Sequence, residues 1–167
     1  TREAVITGNV DLRGISNLTS NANIDNADTL SISYVGDNGA TITETVAIAD
    51  NDSIEQLITK INDLGSDAQG PGAGQLVEAS LTNEGFLQIR SKTGDSFTVA
   101  FNGDGGAAGF GAADRAFGDE LGFAGIAQRT GTDGAAGDGT YEVTALNTTQ
   151  LTSGLFYDSA EAKFADA

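Results

Sequence analysis

Residues Asp28 to Phe101 decide the fold: DTLSISYVGDNGATITETVAIADNDSIEQLITKINDLGSDAQGPGAGQLVEASLTNEGFLQIRSKTGDSFTVAF. Over Thr29–Val35, Leu30, Ile32 and Tyr34 alternate with Thr29, Ser31 and Ser33. That two-residue period belongs to a strand with one buried face. Gly36-Asp37-Asn38-Gly39 turns the chain back, and Ala40–Ala49 resumes the alternation. Ile42, Val46 and Ile48 face one way and Thr41, Thr43 and Thr45 the other, with Glu44 interrupting the apolar row.

The next segment changes period. Ile54, Leu57, Ile58, Ile61 and Leu64 lie on one helical stripe, so the spacing predicts an amphipathic helix over about 53–64 with that face buried. Asp52 and Glu55 stand three residues apart at its start, which predicts an N-cap and its reciprocal partner. Gly65 suits the left-handed residue that ends many helices. A Gly/Pro/Ser-containing loop, Ser66–Gln75, leads to three more alternating strands. Val77, Ala79 and Leu81 share one face of the first, Leu87 and Ile89 one face of the second, and Phe97, Val99 and Phe101 one face of the third. Asn83-Glu84-Gly85 and Lys92-Thr93-Gly94-Asp95 are the turns between them.

Taken in order, these pieces resemble the hook IN repeat of bacterial flagellins and flagellar hook-associated proteins. The features that carry the likeness are the strand hairpin, the helix ending on Ile61-Asn62, the Ala-centred strand Val77-Glu78-Ala79-Ser80 and the run Gly85-Phe86-Leu87-Gln88-Ile89-Arg90-Ser91-Lys92-Thr93-Gly94. The unit spans 28–101, and the Leu121-Gly122-Phe123 step extends the likeness weakly. The linker Gly65–Leu76 is longer than the family's. The resemblance implies an exported structural protein of the bacterial flagellum, outside the cell, delivered without a cleavable signal peptide. Its partners would be other copies of the same subunit in a helical filament, held through segments outside this chain, with a surface glycan or host receptor as a further partner. No sustained heptad pattern of the filament core is present, so the resemblance implies a single outer, variable domain over 1–167. Such an inserted module needs its ends together, which implies that strands 4–12 and 141–146 are neighbours.

Composition agrees with a non-enzymatic role. The chain has 167 residues, enough for a sizeable core. With 24 acidic and 8 basic residues the net charge is −16, which opposes nucleic acid and anionic membrane as partners. There is no Cys, His, Met or Trp. Disulfides, thiol or imidazole catalysis and His/Cys zinc sites are therefore excluded. No apolar run approaches the ~20 residues of a membrane span.

Outside 28–101 the signals thin out. Ala4–Leu12 reads as a strand, and residues 14–28 as an irregular connector with extended pieces around Ile15, Leu18 and Ile24. Asn102–Gly111 is a Gly/Ala/Asp loop. Ala112–Leu121 reads as a short helix burying Ala113, Phe117 and Leu121, although Gly118 inside it costs about 1 kcal/mol. Thr130–Gly139 reads as a second loop, Tyr141–Leu146 as the last strand, and Leu155–Ala167 as an acidic tail carrying Phe156, Tyr157 and Phe164.

Each chemical candidate has a simpler reading beside it. Asp25, Asp28, Asp37, Asp50 and Asp52 could ligate calcium, but no stretch has the spacing of a calcium loop, and solvated turn residues explain them better. Asn102-Gly103-Asp104-Gly105-Gly106 occurs once, whereas Gly/Asp calcium repeats bind as arrays. The glycines at 103, 105, 106 and 109 lack the Lys-Ser/Thr of a phosphate loop. Asp119 and Glu120 are adjacent and diverge on a helix, unlike the paired carboxylates of a glycosidase. The sequons at Asn17, Asn51 and Asn147 are expected by chance in so Asn/Ser/Thr-rich a chain. Tyr34, Phe86, Phe97, Phe101 and Phe110 could form an aromatic sugar platform but sit on apolar strand faces or in a loop, while Phe110, Phe123 and Phe156 suit an interface better, although such residues more often fill a small satellite core. The reading is an α+β protein: mainly antiparallel sheet, one amphipathic helix packed on it, and long Gly-rich loops. Catalytic, metal and cofactor residues: none. The alternatives are a cell-surface adhesin or carbohydrate-binding module, a hook-associated junction or cap domain, and, more remotely, a hydrolase.

Overall fold

A computed structural model of the chain describes residues 3–35, 39–64, 77–103, 112–130 and 140–146. Its strands are β1 (Val5–Thr7), β2 (Thr29–Val35), β3 (Thr41–Ala47), β4 (Val77–Leu81), β5 (Leu87–Ser91), β6 (Phe97–Asn102), β7 (Gln128–Thr130) and β8 (Thr140–Ala145). Its helices are α1 (Ile54–Asn62) and α2 (Ala112–Gly118), the latter running into a wide helical turn, Asp119–Phe123. All strand pairs are antiparallel, in a five-stranded sheet ordered β3-β2-β6-β8-β7 and a three-stranded sheet ordered β1-β5-β4. The mainly antiparallel α+β architecture expected from the sequence is the one observed. The two hairpins of the central stretch, however, fall in different sheets, and β6 returns to pair with β2.

Register carries the alternation across the larger sheet. Val46, Leu30, Phe101 and Tyr141 form one inward row, and Ile42, Tyr34, Phe97 and Ala145 another. Between them Ile32, Val99 and Val143 continue inward, with Glu44 completing the row on the edge strand, where it stays half-buried. A one-residue slip anywhere would send a whole apolar row into water, so the pattern enforces the pairing. On the inner side Phe101 stacks on Phe123 at 5.3 Å and meets Phe117 edge-on at 6.0 Å. Ile6, Ala79, Leu87 and Ile89 of the smaller sheet join the same continuous core.

The amino-terminal segment differs from its expected form. Only Val5–Thr7 of the strand expected over 4–12 is a strand. Gly8 N–H still donates to Leu87 O at 2.8 Å, but Asn9 N–H turns to Gly122 O at 2.8 Å and Leu12 N–H to Gly85 O at 2.9 Å. Each successive amide finds a different partner, so no ladder can propagate. The connector after it is nevertheless anchored, since Leu12, Leu18 and Ile24 are all buried.

The second helix is shorter than expected and ends at Gly118. A Cβ on Gly118 would lie 2.7 Å from the Tyr141 ring, so glycine is needed for helix and sheet to touch. The chain then turns at Gly122, whose φ of 101° suits glycine. The last strand spans 140–145, and a short strand at 128–130 occupies residues given no element from sequence, up to the first residue of the expected loop at Thr130. Sequence gave no signal for that strand because three residues carry no readable period.

Candidate functional site

The chemistry the sequence offers is concentrated where α1 joins the two sheets. The helix begins one residue later than its predicted cap. Ser53, extended at φ −83° and ψ 168°, accepts from Gln56 N–H at 3.1 Å, while Ser53 N–H donates to the Gln56 side chain at 2.8 Å. Asp52 and Glu55 therefore do not form the capping box.

Asp52 is instead an anchor. It is buried, accepts from Ala49 N–H at 2.7 Å and from the Lys60 ammonium at 2.5 Å, and its carbonyl accepts from Leu18 N–H at 2.7 Å. Lys60 also donates to Ala47 O at 3.1 Å, tying the last turn of α1 to the end of β3. Burial pushes the Asp52 carboxyl up, but the Lys60 and Ala49 donors outweigh it and hold the group below the usual carboxylate value.

At the other end of α1 the Ile61-Asn62 pair divides two tasks. Ile61 is fully buried, whereas the half-buried Asn62 turns to β4, an edge strand of the smaller sheet. Its Nδ2 donates to Ala79 O at 3.1 Å and its Oδ1 accepts from Ala79 N–H at 2.6 Å. These are the two bonds that a further strand would make at that position, so one side chain closes the strand edge locally. Spacing placed Asn62 in the last turn, but nothing in the sequence indicated which backbone it reads.

The candidate calcium carboxylates are occupied by their own loops. Asp28 accepts from Asp25 N–H at 2.9 Å, Asp25 from Ala27 N–H at 2.7 Å and Asp50 from the Asn26 amide at 3.1 Å. Among the described residues no three acidic side chains converge as a metal site would require. Asp37, residues 104–106 and Gly109 lie outside the described residues. Gly103 N–H donates to the buried Asp114 at 2.8 Å, a structural contact rather than a phosphate cradle.

Asp119 and Glu120 diverge, as adjacency predicts. Asp119 accepts from Tyr141 Oη at 2.5 Å, while the two Glu120 oxygens take the Asn21 and Asn23 amides at 2.8 and 2.7 Å. Burial and the Asp119 carboxylate together push the Tyr141 phenol up to about 12. Two of the sequon asparagines also have structural partners: Asn17 Nδ2 donates to Asn51 Oδ1 at 3.2 Å. Asn147 lies outside the described residues.

Among the described residues the aromatics do not form a platform. Phe97, Phe101 and Phe123 are buried, so of the two readings for Phe123 the core one holds and the interface one does not. Tyr34 and Phe86 are half-buried, and Phe110 and Phe156 lie outside the described residues. A cleft of about 450 Å³ runs between β1 and β8, with Val5, Ile6, Glu142 and Val143 among its walls. A second, of about 290 Å³, includes Asp11 and Glu120. Asp11 is held by Arg13 at 2.6 Å, which lowers its carboxyl to about 2, and both Glu120 oxygens are taken by asparagine amides. No helix among the described residues is long and apolar enough to cross a membrane.

What these contacts build is a braced module: two sheets on one core, a helix pinned at both ends, and carboxylates used as fasteners. Residues 29–93 match the family model of the flagellin hook IN motif, from β2 through the turn after β5. The chain thus carries a flagellin hook IN motif, which supports a flagellar filament- or hook-related structural protein; the flagellin family itself is structural rather than enzymatic. That family builds filaments of like subunits in the extracellular bacterial flagellum. Comparison with curated proteins gives no match.

Proposed function

We propose that this chain is the outer, solvent-facing module of a flagellar filament subunit, inserted between polymerising segments and exported with them without a cleavable signal. The observation that carries the reading is the hook IN helix seated between the sheets through Ile61 and Asn62, within the stretch that matches the family. Two features support the outer position. Strands β1 and β8 belong to different sheets yet wall one cleft, which brings the first and last described strands together. The charge of −16 keeps a densely repeated surface hydrated and resists lateral aggregation.

The test uses the absence of cysteine from the chain. Asn83→Cys, in the exposed turn before β5, is introduced into the full-length subunit, and assembled filaments are treated with a thiol-reactive dye. Uniform labelling along filaments is the expected result. Filaments that form but react only after dissociation would place the module inside the assembly and refute the proposal.

A further inference from the structure

The outer face of the larger sheet departs from the rest of this acidic surface. Outward positions on β3, β6 and Thr29 to Ser33 of β2 carry Ser, Thr, Ala or Asn, and none of them is charged. In a chain with 24 acidic residues, a flat uncharged area spanning three adjacent strands is an exception. The boundary is equally clear, since the next strand brings Glu142 opposite Ala100.

The hydroxyls of this face bond to one another. Ser31 pairs with Thr45 at 3.0 Å, Ser33 with Thr43 at 2.8 Å and Thr98 with Thr144 at 2.9 Å. Each pair satisfies one of its two O–H donors internally, so a partner covering the face would strand fewer donors than it would over isolated hydroxyls, which lowers the usual cost of burying polar surface. It would also cover no charge. Elsewhere on the molecule, approach of a second copy brings carboxylates together.

From this we infer that the Ser/Thr face of β3-β2-β6 is a contact surface for a second copy of the same chain. The choice of partner rests on the filament reading above, in which like subunits are held close together. Size sets the strength of the contact. Three strands about 4.8 Å apart and five residues rising about 3.4 Å each give roughly 250 Å² per copy. Two such faces fall well below the roughly 1,200 Å² of a stable interface. The contact is consequently weak and transient between free molecules and is strengthened where assembly raises the local concentration.

Salt gives the contact a signature. Screening relieves the general repulsion between copies while taking nothing from an uncharged face, so salt strengthens it, whereas a contact built on ion pairs weakens. The experiment uses the isolated chain. Thr43→Cys carries a spin label, unique because the chain has no cysteine, and is mixed with isotope-labelled, unmodified protein. Expected is intermolecular line broadening on outward-facing residues of β2, β3 and β6 that grows with concentration and with salt. Ser33→Glu, and independently Thr45→Glu, place a carboxylate in the face and should abolish it. Asn83→Glu adds the same charge at a distant turn and should leave it in place.

Broadening that is absent at high salt, weakens with salt, or maps to the cleft between β1 and β8 overturns the inference. So does a face that ignores its own copy but shifts with added dextran, which would assign it to a neutral polysaccharide. Filaments that label at Asn83→Cys without self-contact of the isolated chain refute this inference alone. Self-contact without such labelling refutes only the outer-module reading.

Discussion

Asn62 offers the sharpest perturbation, because one side chain makes two hydrogen bonds to one residue. Asn62→Ala removes the 3.1 Å and 2.6 Å bonds to Ala79 and leaves its N–H and C=O at the β4 edge without the strand surrogate. A net hydrogen bond contributes about 0.5–1.5 kcal/mol, and a fully buried unsatisfied group costs about 1–3 kcal/mol. Asn62 is only half-buried, so water recovers part of the loss and the expected destabilisation is about 1–3 kcal/mol. In a chain of 167 residues this lowers Tm by about 2–4 °C per kcal/mol. Urea titration measures the change, and amide exchange of Ala79 locates it. Asn62→Asp separates hydrogen bonding from shape. Its carboxylate still accepts from Ala79 N–H but opposes Ala79 O, so at neutral pH it should be at least as damaging as alanine. Acidification through the ordinary aspartate range, about 3.9, converts it to a donor and narrows its deficit relative to the parent chain. A loss under about 0.5 kcal/mol for Asn62→Ala with unchanged exchange at Ala79 would refute the strand-surrogate reasoning.

Two further outcomes follow from the other contacts. Gly118→Ala should destabilise by about 1–3 kcal/mol through overpacking against Tyr141 and Phe101, exceeding the ~1 kcal/mol that helix propensity returns; a more stable variant in urea would contradict the packing. Tyr141 titrates higher in the folded chain, near 12 against 10.0 unfolded, so its contribution to stability is complete below 10 and is lost as pH rises toward 12. Tyr141→Phe should remove that alkaline loss and the highest phenolate step in an ultraviolet titration, and persistence of both would show that another group is responsible.

The elements of the central stretch were legible because each rests on its own short period. Leu30, Ile32, Val99 and Phe101 announce strands through neighbours two residues away, and Ile54, Leu57 and Ile61 announce a helix through neighbours three and four away. The cap was misread by one residue because Asp52-x-x-Glu55 and Ser53-x-x-Gln56 satisfy the same rule, and local pattern cannot rank them. What ranks them is Lys60, eight residues on, which takes Asp52 out of the competition. Gly118 read as a weakness of its helix for a similar reason, since the ring it accommodates belongs to Tyr141 in another strand.

By itself, then, the sequence determined strand and helix periods, the apolar face of each, the acidic surface, the exclusion of thiol and imidazole chemistry, and the Ile61-Asn62 pair at the end of a helix. Only the tertiary structure decided that the two hairpins separate into different sheets, that Asn62 closes the edge of β4 and that the hydroxyls of β2 and β3 bond into one uncharged face. The reason is distance along the chain: Asn9 meets Gly122 and Thr7 meets Gln88, and no window of neighbouring residues contains both members of such a pair. Side-chain period reports what a segment buries, whereas the identity of the partner depends on how the whole chain closes on itself.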